Sequence, residues 1–515
     1  MSCPRRRSRS PGVPGTCSSS ISPGTSPATT RRVSGCRCCS WTPARSAPPS
    51  STSPSRTRTR SCTASSTRSS PPSSCSDATR VRVAVVPAAP SYPIERLTLE
   101  NGLRVVLAPD RRAAVVGVAV YYDVGMRSEP EGRTGFAHLF EHLMFQGSAN
   151  VEKMAHMRHV QSAGGTVNGS TRRDYTNYFE ILPSNALELA LFLEADRMRS
   201  PRITEENLAN QISVVKEEIR VNVLNQPYGG FPWLSLPPVL FDTFPNAHNG
   251  YGDFADLDSA TVADAAAFFD RYYAPGNAVL CLCGDLPVQP TAELAERYFG
   301  SIPARPTPPP PFAGEPDLTS ERRKSTVDSL ARAPAVAMGW RIPDPVGDLD
   351  SYLPYVVLAE ILSEGDASRL EQRLVRRDRA ALQQSAYLGL FGDPFDSRDP
   401  VTMTVQVTHP RQVAVDSVLK AVDEELDRLA TEGLEDGELR RVNARMATQL
   451  LREADSVDGR TLQFAAYELV HGRAELLGEM PGRLAGVTAD SVAAAAATLR
   501  PERRAVLELV AGGGK

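Results

Sequence analysis

The sequence predicts an α+β protein made of two homologous domains in tandem, each a mostly antiparallel sheet packed with helices. Three observations predict it. From about Ser91, short apolar runs bounded by turn residues interleave with longer runs whose apolar residues recur at i, i+3 and i+4. A stiff proline-rich stretch, PARPTPPPPFAGEP, interrupts this texture at 303–316. Beyond it the same order of elements recurs.

In order, LRVVLAP (103–109) and AVVGVAVYYDVG (114–125) read as strands joined by a turn at 110–112. A helix through GFAHLFEHLMFQG and a second near 152–163, ending at Gly164-Gly165, come next. TVNGSTRRDYTNYFEILP (166–183) reads as two strands, and 185–199 and 204–223 read as helices. A Gly- and Pro-rich loop (226–250) leads to a helix at 260–273, a strand at 276–284 and a helix at 287–299. In the second half, the strand APAVAMGWRI (333–342) stands where AVVGVAVYYDVG stood, and the helix SYLPYVVLAEILSEG (351–365) stands where GFAHLFEHLMFQG stood. The expected division is an extension over 1–90, a domain over 91–302, a linker over 303–320 and a second domain over 321–511.

Hydrophobic content of 41% and a charged fraction of 23% are those of an ordinary globular chain. No apolar stretch approaches the length of a membrane-spanning helix, so no span is expected. The net charge of −3 hides a split: residues 1–80 carry 13 Arg, no Lys and a single acid, Asp77. The body is therefore acidic, which disfavours nucleic acid as a partner. Ser, Pro and Arg dominate 1–90, so this extension is expected to be disordered and dispensable. It lacks the apolar core of a secretory signal, and its prolines argue against the amphipathic helix of a mitochondrial presequence. Only Cys281 and Cys283 lie in the body, in NAVLCLCGD, where they are read as facing opposite sides of a buried strand. A body without a cysteine framework points to a reducing compartment. The expected location is bacterial cytoplasm, with the mitochondrial matrix as the alternative.

The chemistry lies in His138-x-x-Glu141-His142. On a helix, i, i+3 and i+4 share one face, so two imidazoles one turn apart can grip one divalent cation with a carboxylate beside them. This order is the inverzincin arrangement. An open hydrolytic site needs a third protein ligand. The best candidate is Glu217 in QISVVKEEIRVNV; Glu218 is its neighbour, and only one of the two can lie along a given helical face. His156 and His159, spaced i, i+3, read as a solvated helix face, and His248, His409 and His471 stand alone.

The motif, the interval to VVKEEI, and GGTVNGSTRRDYTNYFEILP together resemble the M16 metallopeptidases, the relatives of pitrilysin, insulysin and mitochondrial processing peptidase. The resemblance covers roughly 93–510 and fits the family's shorter, two-domain members. It implies one Zn²⁺ per chain held by His138, His142 and Glu217, with Glu141 as the general base toward a metal-activated water. Asn168 would lie near the substrate backbone, its other reading being a turn residue. The resemblance also implies an endopeptidase acting on extended or unfolded peptides: leader peptides, presequences or small peptides. The second half departs from the metal motif, because aligning Gly365 with Gly147 puts Val356, Ala359 and Glu360 at the motif positions. Two further departures stand out. Where family members carry a supporting Glu seven residues before the ligand Glu, this chain has Asn210. The family's Arg and Tyr, seven apart in the non-metal half, are missing near Val375 and Leu382, and Tyr387 is out of register. A heterodimer is therefore expected, with a related chain that lacks H-x-x-E-H and supplies the Arg/Tyr pair; a homodimer is the other arrangement. The competing function is a non-catalytic, peptidase-like scaffold subunit.

Overall fold

The computed structural model describes residues 91–309, 311 and 314–512; the expected extension over 1–90 lies outside them. The first sheet contains β1 (Glu95–Thr98), β2 (Arg104–Pro109), β3 (Val115–Tyr122), β4 (Thr166–Thr171), β5 (Thr176–Pro183) and β6 (Ala278–Gly284), in the order β1-β2-β6-β3-β5-β4. The second contains β7 (Arg322–Asp328), β8 (Ala335–Ile342), β9 (Gln383–Leu388), β10 (Val401–Thr408) and β11 (Arg504–Ala511), in the order β7-β11-β8-β10-β9. Setting β1 aside, the two orders are the same when strands are matched by chain position. In each sheet one pair is parallel, β2 with β6 and β7 with β11, and the other pairs are antiparallel. The fold is thus α+β with an internal repeat, and β4 and β9 are equivalent edge strands.

Helices fill the same slots. α1 (Phe136–Leu143) follows β3, as the helix Leu349–Ser363 follows β8. α2 (Ala155–Ser162), α3 (Leu187–Arg199) and α4 (Glu205–Ile219) complete the framework around the motif. α4 starts where Thr204 accepts a hydrogen bond from the Asn207 backbone N–H at 3.2 Å, with Glu205 and Glu206 in the first turn facing the positive end of the helix dipole. Its buried residues include Leu208, Gln211, Val215 and Ile219, one stripe along the helix. After Ile219 the helix loosens into a π-type turn, Arg220–Leu224.

One face of the first sheet, including Val105, Leu107, Val118, Val120, Leu280 and Leu282, packs against α1, α3 and the helices Val262–Tyr272 and Val288–Phe299. The opposite face presents Val106, Ala119, Tyr121, Cys281 and Cys283 to a helix from the second half, Val457–His471. The fit is close: a Cβ on Gly117 would sit 2.1 Å from the Thr461 hydroxyl. The two cysteines therefore do not point to opposite faces. They are two apart on a strand, and side chains repeat every two residues. Both are buried and unbridged.

The exchange is mutual. Phe231, Leu236, Val239, Leu240 and Phe241 of the first half cover the face of the second sheet carrying Ala335, Ala337, Ala505 and Leu507. The remaining face of that sheet, including Val336, Met338, Trp340 and Val506, joins the large core shared with the Val457–His471 helix. No helix among the described residues is long and apolar enough to cross a membrane.

Candidate metal centre

α1 is an almost wholly buried helix, set between its sheet and the segment that follows α4. It begins at Gly135, which holds a left-handed φ of +84° and lies against Gly252 so closely that a Cβ there would be 2.6 Å from the Gly252 Cα. The first backbone N–H groups of a helix have no partners within it. Here the buried Glu129 carboxylate accepts from Gly135 N and Ala137 N, both at 2.8 Å. His248 in turn holds Glu129, with its Nε2 3.0 Å from the carboxylate and its Nδ1 2.7 Å from the Phe244 carbonyl. Burial opposes charge on His248, but the bond and charge of Glu129 outweigh it and raise its pKa.

From this helix His138 and His142 project side by side, ring centroids 4.9 Å apart and planes at 88°. The third group is Glu218, not Glu217. Glu218 places Oε2 3.3 Å from His142 Nε2 and Oε1 3.8 Å from His138 Nε2. Glu217 points to solvent, 63% exposed, and pairs with Arg220 at 3.1 Å. The reason is angular. At about 100° per residue, Glu218 lies about 60° from Val215 in the buried stripe, and Glu217 about 160° away. The correction carries the offset with it: seven residues before Glu218 stands Gln211, which is buried and hydrogen-bonds His142, whereas Asn210 is exposed.

His138, His142 and Glu218 place their donor atoms within 4.8 Å of one another. Both ring nitrogens of His138 are buried with no hydrogen-bond partner. Orphaned buried imidazole nitrogens are costly unless a ligand satisfies them, and two neutral nitrogens with one carboxylate form a donor set suited to Zn²⁺. The residues therefore fit the metal. Burial, reinforced by the charge of His142, drives the His138 pKa down to about 4 and keeps the ring a neutral donor. Burial would raise the Glu218 pKa, but the His142 hydrogen bond and the two imidazoles lower it, so the carboxylate is ionised.

Glu141 is on the same helix and fully buried, and desolvation raises its pKa. Its carboxylate accepts from Thr171 Oγ1 at 2.8 Å. Thr171 ends the edge strand β4, and a Cβ on Gly169 of that strand would lie 3.4 Å from Glu141 Cγ. Asn168 sits within β4 opposite Phe179, so it is a strand residue and not a turn residue; its side chain accepts from Gly169 N at 2.9 Å.

The β4–β5 turn is held by the second half. Asp174 accepts from Arg127 Nε at 2.7 Å and from the Arg398 backbone N–H at 2.7 Å. Arg127 also donates to the Asp399 carbonyl at 2.7 Å, and Arg173 to the Pro400 carbonyl at 3.0 Å. Beside them Asp396 is buried, 3.8 Å from Arg172, with the more exposed Asp393 as a neighbouring acid. Burial, then the charge of Asp393, raises the Asp396 pKa to about 8.

A second buried cluster corrects another expectation. His159 is exposed, but His156 is buried and bonded to Glu180, with Glu194 3.9 Å away. Arg197 is already the cation here: it bonds Glu194, Nε to Oε2 at 2.8 Å, and lies 4.3 Å over the Tyr178 ring. The apolar spacing of α2 gives no sign of this, because the carboxylates come from β5 and α3.

In the second half, Glu360 pairs with Arg445 at 2.7 Å, on the helix that carries Val356 and Ala359. Leu382 is exposed, and Tyr387 lies on edge strand β9, beside Trp233 and Thr404.

Residues 104–228 match the family model described as Insulinase (Peptidase family M16), and 259–446 match Peptidase M16 inactive domain. The chain belongs to the M16 peptidase family. It is 31% identical over 297 residues to the zinc protease PqqE of Helicobacter pylori, a match spanning 56% of this chain and 65% of that protein. It is 29% identical over 362 residues to an uncharacterised zinc protease of Mycobacterium leprae, covering 68% of this chain and 77% of that one. Among solved structures, a protease from Helicobacter pylori superposes with a TM-score of 0.75 at 25% identity, over 81% of this chain and 99% of that one.

Proposed function

We propose that this M16 chain is a zinc-dependent endopeptidase that cleaves extended or unfolded peptides. The observation that carries the reading is the convergence of His138, His142 and Glu218 beside the buried carboxylate of Glu141. The relatives named zinc proteases support it. His138, His142 and Glu218 would hold the ion. When bound, zinc acts as a Lewis acid that brings the pKa of a water to about 7 and polarises a carbonyl. Glu141 takes a proton from the attacking water and passes it to the leaving amine. Burial raises its pKa, which makes the carboxylate a better proton acceptor than an exposed glutamate. The Thr171 hydroxyl, donating to Oε2, orients the Glu141 carboxylate for that work. The edge strand β4 offers unpaired backbone groups along its open side, so a peptide in extended form can pair with it.

The chain acts with a partner in this reading, a related subunit that supplies an Arg and a Tyr. Val375, Leu382 and Tyr387 do not bring such a pair to the site. The same gap is the one observation favouring a non-catalytic scaffold. One experiment separates the two. The purified chain, alone and with its co-purifying partner, is assayed for zinc by elemental analysis and for cleavage of unstructured peptides, with Glu141→Gln as control. One equivalent of zinc, and a loss of cleavage by about 10²–10⁴ in Glu141→Gln with zinc retained, is expected. Absence of zinc, or equal cleavage by the variant, refutes the enzyme reading. Full activity of the chain alone refutes the heterodimer.

A further inference from the structure

A metal-ligating histidine is ordinarily oriented by a hydrogen bond from its second ring nitrogen to a carboxylate, carbonyl or water. His138 has no such bond: both nitrogens are buried without a partner. Something else must fix its plane. The ring of Tyr251 lies 4.7 Å from that of His138, tilted by only 17°. The hydroxyl of the same tyrosine donates to Glu218 Oε1 at 2.8 Å. We propose that Tyr251 is the positioning residue of the metal centre, stacking on one ligand and hydrogen-bonding another. The proposal rests on the zinc-site reading above.

The geometry gives each contact a separate task. A glutamate side chain has three rotatable bonds, and ordering it costs conformational entropy. Glu218 is only 12% exposed, but it springs from the edge of the buried stripe of α4, with open solvent next to it. The Tyr251 hydroxyl binds one oxygen and leaves the other toward His142. The stacked ring removes the rotation that His138 would otherwise have about its Cβ–Cγ bond.

Tyr251 is itself held. Its backbone N–H donates to Asn249 Oδ1 at 3.0 Å, and Trp233 packs edge-on at 5.3 Å. The next residues dock on the start of α1, where Gly252 lies against Gly135 and Asp253 N donates to Thr134 Oγ1 at 2.9 Å. Three residues earlier, His248 holds the Glu129 that caps the same helix. One short segment thus sets the start of the histidine helix and the rotamer of the carboxylate ligand together.

The test compares wild type, Tyr251→Phe and Tyr251→Leu as full chains. The zinc dissociation constant is read by competition with a chromogenic chelator, and the melting temperature is read without metal. Tyr251→Phe removes only the hydroxyl, and about tenfold weaker zinc binding is expected; Tyr251→Leu also removes the stack, and about a hundredfold is expected. The metal-free melting temperature of Tyr251→Phe stays at the wild-type value. Wild-type zinc affinity in both variants overturns the proposal, as does a lower metal-free melting temperature in Tyr251→Phe with affinity intact, which marks a purely structural residue. Failure of the wild-type chain to take up zinc removes the metal-site reading itself, and this proposal with it.

Discussion

Two adjacent glutamates with opposite surroundings allow a sharp experiment. The Glu217 side chain is 63% exposed and forms an i, i+3 ion pair with Arg220. Such a surface pair contributes about 0.3–0.5 kcal/mol. Glu217→Ala should therefore leave zinc content unchanged and lower stability by less than about 0.5 kcal/mol. Glu218 faces two imidazoles at 3.3 and 3.8 Å. A complete structural zinc site of four ligands binds with about 10–16 kcal/mol, so one ligand is worth about 2.5–4 kcal/mol. Glu218→Ala should weaken zinc by two to three powers of ten, since 1.4 kcal/mol is tenfold. Elemental analysis after gel filtration gives occupancy, chelator competition gives affinity, and urea unfolding of the metal-free chains gives stability. Zinc lost from Glu217→Ala and kept by Glu218→Ala would reverse the assignment and refute the helical-face argument behind it.

Two more outcomes concern buried charge. Arg197 is the sole cation beside Glu180 and Glu194 among the described residues, so Arg197→Met strands two buried carboxylates and should cost about 3–5 kcal/mol, read as a large drop in melting temperature. Glu180→Gln, whose amide can still bond His156, should cost far less; equal losses would show that the charge balance is not what matters. Asp396 supplies a pH test. Its folded pKa is about 8 against an ordinary 3.8, so the folded chain holds a proton that the unfolded chain releases. Stability from this group is complete below about 3.8 and is lost as pH rises toward 8. At 1.36 kcal/mol per unit the full loss is up to about 6 kcal/mol. Asp396→Asn should therefore gain on wild type in urea unfolding between pH 5 and pH 8, and a constant difference across that range would refute the account.

The parts legible in the sequence are those written within one element. His138, Glu141 and His142 lie within one helical turn and a residue, and the residues 166–183 alternate as the two strands they form. The choice between Glu217 and Glu218 was also within reach, since Leu208, Gln211, Val215 and Ile219 mark the buried stripe. With Glu218 as the ligand, the residue seven positions earlier is the buried Gln211 and not Asn210. Other contacts are invisible to periodicity because they join distant elements. Thr171 reaches Glu141 across 30 residues, Tyr251 reaches Glu218 across 33, and His248 reaches Glu129 across 119. A lone histidine in a loop carries no local sign that it braces a helix cap. The cysteine facing was misread for a simpler reason, the strand repeat of two.

The half without a metal site is needed by the half that has one. Val106, Ala119, Tyr121, Cys281 and Cys283 would be open to water without the Val457–His471 helix, and the face of the second sheet would be open without Phe231, Leu236 and Leu240. Each half lends the other a layer, so neither closes a core alone. The exchange also reaches the chemistry. The strand that ends in Thr171, the partner of Glu141, turns back through Arg172, Arg173 and Asp174, and these are gripped by residues 396–400. A shift of that loop would move the hydroxyl that orients the base. Loss of H-x-x-E-H from the second half therefore leaves it two tasks: it completes the first sheet, and it holds the edge strand in register with the helix of the two histidines.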